Sequence, residues 1–550
     1  MQIDKIRIQN FKRFEDATFE FNPDVNIIVG SNDSGKSTIL EAIEICLNSA
    51  YRGKAFVTEL KADLFNRNAL QKYLDSDQTI EDLPKISIEL FINGVPEYKG
   101  NNNSLSEDSQ GLKLSVLVDR DLAGAYEEYR KAQESIKSIP IEFYKIEWFT
   151  FSWDPIKYMT RKVSGLFIDT TRLHPTYGKN RYITNILNAT LSKENLALLN
   201  VNYRQLKELF SEQQHVVDVN AGLDSDDVVT DRNLEIVADV APSSSFETGL
   251  QLAVDAVNFP LIGKGEQNKI QIKLAMQNAA NNINLLLIEE PENHLSHANL
   301  TALIGFIEDQ RGDKQLFITT HSSYVLNKLS INKLCLIGNE YTRLKDLNSD
   351  VTKRLKRLPS YDTMRAVLAD KMVLVEGPSD ELVLKKFYFE RHNKLPEEDG
   401  IDLIVVRGLG FANYLEIARA LGKTVTVVKD NDHNYTANIV EYAADYTDFG
   451  NIKFLASDND DYHSLEPLLI GTNSQTDAML EHYAEIVLSP QTFTLFKNEA
   501  VGQARIDFLR TWFKDKGNTG SKKVDSAMKI FESDKSIVYP EFFSRVFEFA

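Results

Sequence analysis

The sequence predicts an α/β protein with two parallel-sheet units in tandem, and three stretches predict it. The first is GSNDSGKS, Gly30 to Ser37, set between the apolar run Val25 to Val29 and a helix-like run, Thr38 to Leu47. The second is NNINLLLIEEPENHLSH, Asn281 to His297, an apolar run of strand length that ends abruptly in acids. The third is a pair of strand-like runs, one from Lys371 ending in Glu376 and one from Thr424 to Asp432 ending in two aspartates, separated by one further helix and strand. Strands alternating with helices in this way build parallel sheets whose connecting loops gather at one edge.

At 550 residues the chain exceeds what one hydrophobic core supports, so several domains are expected. Its net charge of −18 argues against a surface that coats nucleic acid throughout, while leaving room for a local basic groove. Two cysteines, Cys46 and Cys335, are too few for a disulfide framework or a cysteine-built zinc site. The opening MQIDKIRIQNFKRF alternates like a strand and lacks the apolar centre of a signal peptide. No run approaches the roughly 20 apolar residues of a membrane span, so a cytoplasmic protein without a membrane partner is expected. Chemistry must therefore rest on carboxylates, lysine and histidine.

GSNDSGKS fits the pattern GxxxxGK[ST]. Gly30 and Gly35 let the backbone wrap a triphosphate, with Asn32, Ser34 and Thr38 in the same cradle. Lys36 reaches the β- and γ-phosphates and Ser37 holds Mg²⁺, which makes ATP the expected cofactor. Acids at the end of a buried strand place Glu289 near that Mg²⁺ and Glu290 where it orients or deprotonates the attacking water. Upstream, Leu261 to Met276 pairs a turn carrying Gly263 and Gly265 with a helix, an arrangement suited to offering backbone N–H groups to the phosphate of a second subunit. Downstream, the strand-like QLFITTHSS ends in His321.

These motifs, in this order, resemble the ATP-binding-cassette ATPases, more particularly the heads of the SMC and recombination-repair ATPases. The resemblance implies a signature loop at Gly263 to Gln267, a catalytic Glu290, a D-loop region at Asn293 to Leu295 and a γ-phosphate-sensing His321. Lys264, Glu266 and Glu289 depart from the usual residues, which implies slow hydrolysis with ATP acting as clamp or sensor. Between Thr38 and Asn281 there is neither a CxxC hook nor a sustained heptad pattern. Strands are expected at Lys85 to Ile92, Leu112 to Asp119 and Ile141 to Phe151, then helices over Tyr182 to Gln213 and an acidic stretch at Ala221 to Asp231. A P-loop head, residues 1–360, with a dimer-forming helical insertion at about 175–235 follows.

The basic stretch Thr352 to Arg357 and Pro359 mark a junction, so a second domain, 361–550, is expected. Its first strand ends in Glu376, with Asp380 opening the next helix; a later strand ends in Asp430 and Asp432, which strand alternation would put on one face. Oxygen-only ligands suit Mg²⁺ or Mn²⁺. Ile401 to Val406 and Phe411 to Leu421 supply the intervening strand and helix. The arrangement resembles the Toprim domain, a Rossmann-like sheet with metal-binding acids at its strand ends. Glu466 and one of Lys522 and Lys523 return later in the chain, on helical stretches.

An ABC-type ATPase head followed by a Toprim domain with C-terminal helices is similar to the OLD (overcoming lysogenization defect) family of nucleases. That resemblance implies a metal-dependent nuclease site of Glu376, Asp380, Asp430, Asp432, Glu466 and Lys523, acting on DNA in a homodimer or higher oligomer. It also implies anti-phage defence, in some branches beside a helicase-like protein or a reverse transcriptase and its RNA. Arg354, Lys356, Arg357, Lys514 and Lys516 are candidate DNA contacts. Two alternatives stay open on the residues alone: an SMC-like DNA-repair ATPase, and an ATP-switched DNA clamp without nuclease activity.

Overall fold

The computed structural model describes residues 1–52, 54–133, 136–156, 162–163, 165–170, 193–223, 235–238, 253–278, 283–338, 341–347, 349–355, 358, 360–407, 410–514 and 522–549. The expected helical residues 182–192, the acidic residues 224–231, Pro359 and the candidate DNA contacts Lys356, Arg357 and Lys516 lie outside these. Internal contacts divide the chain into two compact units, Met1–His321 and Ser322–Ala550. The boundary at 360/361 read from the sequence falls within the second unit, at the start of the helix Ser360–Leu368.

The first unit contains an antiparallel sheet and a parallel one. The antiparallel sheet takes β1 (Gln2–Phe11), β2 (Phe14–Glu20), β4 (Ile86–Asn93), β5 (Ser109–Val118) and β6 (Tyr144–Thr150), with β1 between β2 and β4 and β5 between β4 and β6. Its apolar residues pair across strands, as Ile6 does with Phe19 and with Leu90, and along β1 the buried Ile6 and Ile8 alternate with the less buried Arg7 and Gln9. The strand expected from Ile141 begins only at Tyr144, because Ile141–Phe143 forms a 3₁₀ turn.

The parallel sheet runs β7 (Gly165–Asp169), β8 (Leu285–Glu289), β9 (Gln315–Thr319), β3 (Val25–Gly30). Helices α1 (Lys36–Asn48), α4 (Lys264–Asn278) and α5 (His297–Arg311) belong to the same unit. Ile27, Ile28, Leu285, Leu287, Leu316 and Phe317 are fully buried. Unbroken apolar runs are what a sheet covered on both faces requires, since each side chain has somewhere to bury whichever way it points. The insertion contributes α2 (Lys193–Ser211) and α3 (Gln214–Leu223) among the described residues.

The second unit holds a four-stranded parallel sheet in the order β11 (Ile401–Val405), β10 (Lys371–Val375), β12 (Thr424–Val428), β13 (Ile452–Leu455). Between strands run α6 (Pro378–His392) and α7 (Phe411–Ala420), the alternation the sequence predicts. The helices α8 (Leu465–Thr472), α9 (Asp477–Val487) and α10 (Lys522–Glu532) follow the sheet. One apolar cluster joins Val373 and Leu403 of the sheet to Leu384, Leu469, Tyr483 and Ile530 of the helices. The C-terminal helices are thus part of the core of this unit rather than an appendage.

Candidate functional site

In the parallel sheet of the first unit the strand ends are level: Asp169 pairs with Glu289, Glu289 with Thr319, and Thr319 with Ile28. Loops leaving a parallel sheet at its carboxyl edge form the crevice in which such folds bind ligands. A pocket there is lined by Lys12, Arg13, Asn32, Asp33, Gly35, Lys36, Ser37, Thr38, Glu290 and His321. Gly30 ends β3 and Gly35 caps α1 in the left-handed region, φ 102°. A Cβ at Gly35 would lie 2.4 Å from Phe14 Cζ, so both conformation and space demand glycine.

Lys36 Nζ donates to the carbonyls of Gly30 at 3.0 Å and Ser31 at 2.9 Å, curling back on its own loop. Burial lowers the pKa of this ammonium, opposed by the charges of Glu290, Asp33 and Glu289. Ser37 Oγ donates to the buried carboxylate of Glu289, which brings together the two groups expected to share Mg²⁺. Ser34 is buried in the loop. Glu290 Oε1 sits 3.6 Å from His321 Nε2, and Asn293 Nδ2 donates to Glu290 Oε2 at 3.1 Å. Gly263 and Gly265 are outside the lining of this pocket. Gly265 instead lies against the segment after Glu290, where a Cβ would come 2.4 Å from His294 O.

Three residues that sequence reasoning passed over shape this edge. Lys12 and Arg13 come from the β1–β2 turn, and Arg13 donates to the carbonyl of Asp33 in the phosphate loop. Glu292 accepts from Thr320 Oγ1 and from the His321 N–H, both at 2.7 Å. The basic FKRF of the first strand pair was a usable signal, because a cation beside a phosphate loop adds positive potential; no local pattern marks Glu292.

The second unit repeats the geometry with acids. Glu376 directly follows β10, and its Oε1 accepts the Asp430 N–H at 3.2 Å, while Lys429 Nζ lies 4.0 Å away. Gly377 caps α6, Pro378 starts it, and Asp380 Oδ2 accepts the Gly377 N–H at 2.9 Å. Glu466, in the first turn of α8, is buried and pairs with Lys523 Nζ of α10 at 2.7 Å. Lys522 turns away, its ammonium 5.2 Å from the Trp512 ring centre.

Burial, and then the charges of Asp380, Glu376, Glu466 and Asp432, push the Asp430 carboxyl up to about 8. Asp380 rises to about 7, chiefly through burial, against the Gly377 N–H that favours its charge. Burial also raises Glu376.

The strand alternation expected for Asp430 and Asp432 is not what the fold uses. Strand β12 ends at Val428, and Asp432 has φ 49°, in the left-handed region of a turn fixed by the Asn431 amide on Ser457 O at 2.9 Å and Asn459 O at 3.0 Å. Asp432 is exposed while Asn431 between the two acids is buried. Its N–H donates to His463 O at 3.2 Å, and the His433 and His463 rings lie with centres 3.7 Å apart, tilted by 60°. His463 is lowered by burial, then by His433, Lys514 and Lys523. Arg354 is already engaged, donating to Asn413 Oδ1 at 3.2 Å.

Among the described residues no group of three or more His, Cys, Asp or Glu side chains stands arranged to grip an ion. In their donor chemistry the acids nevertheless fit a hard divalent cation: all are oxygen ligands, and burial and mutual repulsion make their ionisation costly, a cost that a cation offsets.

Residues 1–214 match the model of an AAA ATPase domain, and residues 367–432 match the overcoming lysogenization defect protein-like TOPRIM domain. Endonuclease GajA of Bacillus cereus strain VD045 is 22% identical over 463 residues, covering 78% of this chain and 75% of that protein. GajA of strain HuB5-5 is 23% identical over 544 residues, covering 81% and 76%. The retron Vc95 probable ATPase of Vibrio cholerae is 22% identical over 398 residues, covering 62% and 76%. With an ATPase-domain match at one end and an OLD-like Toprim match at the other, the chain is similar in its domain order to the OLD family.

Proposed function

We propose that this chain is an ATP-binding, divalent-metal-dependent DNA endonuclease whose cutting site lies in its Toprim domain and is gated by the nucleotide site. The observation that carries the reading is the gathering of Glu376, Asp380, Asp430 and Glu466, with Lys523 on Glu466, at the carboxyl edge of one parallel sheet. Glu376, Asp380, Asp430, Asp432 and Glu466 are the residues that would hold Mg²⁺ or Mn²⁺. Such an ion, when bound, activates water and stabilises charge on phosphate oxygens. Lys523 keeps a half-exposed ammonium beside the acids and is placed to neutralise a phosphate oxygen of the scissile bond.

At the nucleotide site Lys36, which donates to the Gly30 and Ser31 carbonyls, would turn to the β- and γ-phosphates, and the loop N–H groups of Gly30 to Thr38 would hold the remaining oxygens. Ser37 and Glu289 are the residues that would hold the nucleotide's Mg²⁺. Glu290 orients the attacking water, and His321, 3.6 Å from it, senses the γ-phosphate. Gly263 and Gly265 serve the nucleotide of a second copy. Leu206, Leu209 and Phe210 of α2 are each more than half exposed, which suits the insertion at about 175–235 to homodimer contacts.

The working division is a 1–360 ATPase head and a 361–550 nuclease. The role is anti-phage defence in the cytoplasm, with a helicase-like protein or a reverse transcriptase and its RNA as a neighbouring-gene partner. The endonucleases among its relatives, and a relative from a retron, support this. Purified protein incubated with supercoiled plasmid in Mg²⁺ or Mn²⁺ tests it: nicking or cutting that chelator abolishes is expected, and intact plasmid in every condition, with and without ATP, refutes it.

A further inference from the structure

We infer that Thr170 is a positioning residue for ATP hydrolysis, acting through the backbone on either side of Glu290. The inference rests on the ATPase reading of the first site. Thr170 directly follows β7, is 2% exposed, and places its hydroxyl 2.7 Å from both the Glu289 and the Glu290 carbonyl oxygens. One hydroxyl proton is shared between two acceptors flanking a single residue, so the contact fixes the peptide planes on both sides of the Glu290 Cα.

That residue needs fixing. Glu290 has φ 43°, in the left-handed region that a side chain with a Cβ rarely occupies, and such a conformation persists only where its surroundings over-determine it. Its N–H donates to Thr319 O at 3.0 Å, and its carbonyl also accepts the Asn293 N–H at 3.1 Å. The Thr170 hydroxyl is the side-chain group that meets both carbonyls. The strained turn in turn aims the Glu290 carboxylate at His321.

The far side of the same gap is held by the same segment. Glu292, two residues on, accepts the His321 N–H and the Thr320 hydroxyl through Oε1, both at 2.7 Å. The backbone of His321 is thereby tied to the loop that carries Glu290. Thr170 sets the glutamate and Glu292 sets the histidine, so the distance between the two side chains depends on neither strand alone. Without the hydroxyl, the Glu290 peptide is free to relax toward ordinary backbone angles, swinging the carboxylate away from the water it orients. An orientation error of this kind lowers the rate of the chemical step while leaving the phosphate cradle of Gly30 to Thr38 intact.

The test compares Thr170→Val, isosteric but without a donor, with Thr170→Ser, which keeps it. ATP turnover, the dissociation constant for ATP and trapping of ADP with aluminium fluoride are measured on the full chain, with Glu290→Gln as the inactive reference. The expected result is a fall in kcat of tenfold or more and loss of trapping in Thr170→Val. Its ATP affinity should stay within twofold of wild type, and Thr170→Ser should recover both activities. Turnover and trapping in Thr170→Val equal to wild type overturn the proposal alone. Equal loss of ATP binding in both variants also overturns it, because Thr170 is then structural. A wild-type chain that binds ATP yet neither turns it over nor traps the fluoride complex overturns the catalytic reading of Glu290, and the proposal with it.

Discussion

Lys523 Nζ lies 2.7 Å from Glu466 Oε2, joining the last described long helix of the chain to the first turn of α8 across 57 positions of sequence. The glutamate side chain is 8% exposed and the lysine 50% exposed, so the acid is fixed and the ammonium keeps one side toward solvent. Removing the lysine by Lys523→Ala should abolish plasmid cleavage, by more than about 100-fold, the scale on which a charge-stabilising group acts. Because Glu466 is left buried without its counter-charge, stability should also fall, by about 1–3 kcal/mol. Cleavage assays and denaturant melts check the two effects separately; a variant that cuts normally removes Lys523 from the site.

Asp430 is raised to about 8 by burial and by four neighbouring carboxylates. Above about pH 8, where this carboxyl is ionised, Asp430→Asn deletes one charge from a repelling cluster, so the variant should melt a few degrees higher than wild type in chelator at that pH. Mg²⁺ should then raise the melting temperature of wild type more than that of the variant, since it is the charge excess that a cation offsets. Equal metal-induced shifts would separate Asp430 from the metal site.

Gly35→Ala places a methyl group against the Phe14 ring and forces alanine to φ 102°. A cost of more than about 1 kcal/mol follows from the backbone alone. Loss of ATP binding is expected, measured by titration calorimetry, together with a lower unfolding midpoint. Retained affinity would mean that the loop tolerates another shape.

The phosphate loop, both acid-ended strands and the helix–strand alternation of the second unit were legible because each is a local pattern: an apolar run long enough for a strand, then residues whose chemistry fits a strand end. The DxD pair shows where local reasoning stops. Two-residue alternation holds only while the strand lasts, and β12 ends before Asp430; what places Asp432 is a turn pinned by Asn431 onto residues 457 and 459. Thr170 and Glu292 were illegible for a related reason. Their partners lie 119 and 29 positions away, and a lone threonine or glutamate carries no periodic signal.

Leu206 and Phe210 of α2 are 64% and 60% exposed. If this face joins two copies, Leu206→Asp with Phe210→Asp should shift the mass in analytical ultracentrifugation toward the monomer and slow ATP turnover, because Gly263 and Gly265 then lose the second nucleotide. An unchanged mass assigns the dimer contact elsewhere.

The acids at the edge of the second sheet are proposed to cut DNA. Supercoiled plasmid is incubated in Mg²⁺ or in Mn²⁺, with and without ATP, with wild type and with Asp430→Ala side by side. Nicked or linear product is expected from wild type in at least one of these conditions, and its loss, by more than about 100-fold, in the variant. Cleavage by Asp430→Ala at the wild-type rate, or none by wild type under any of them, would contradict this role.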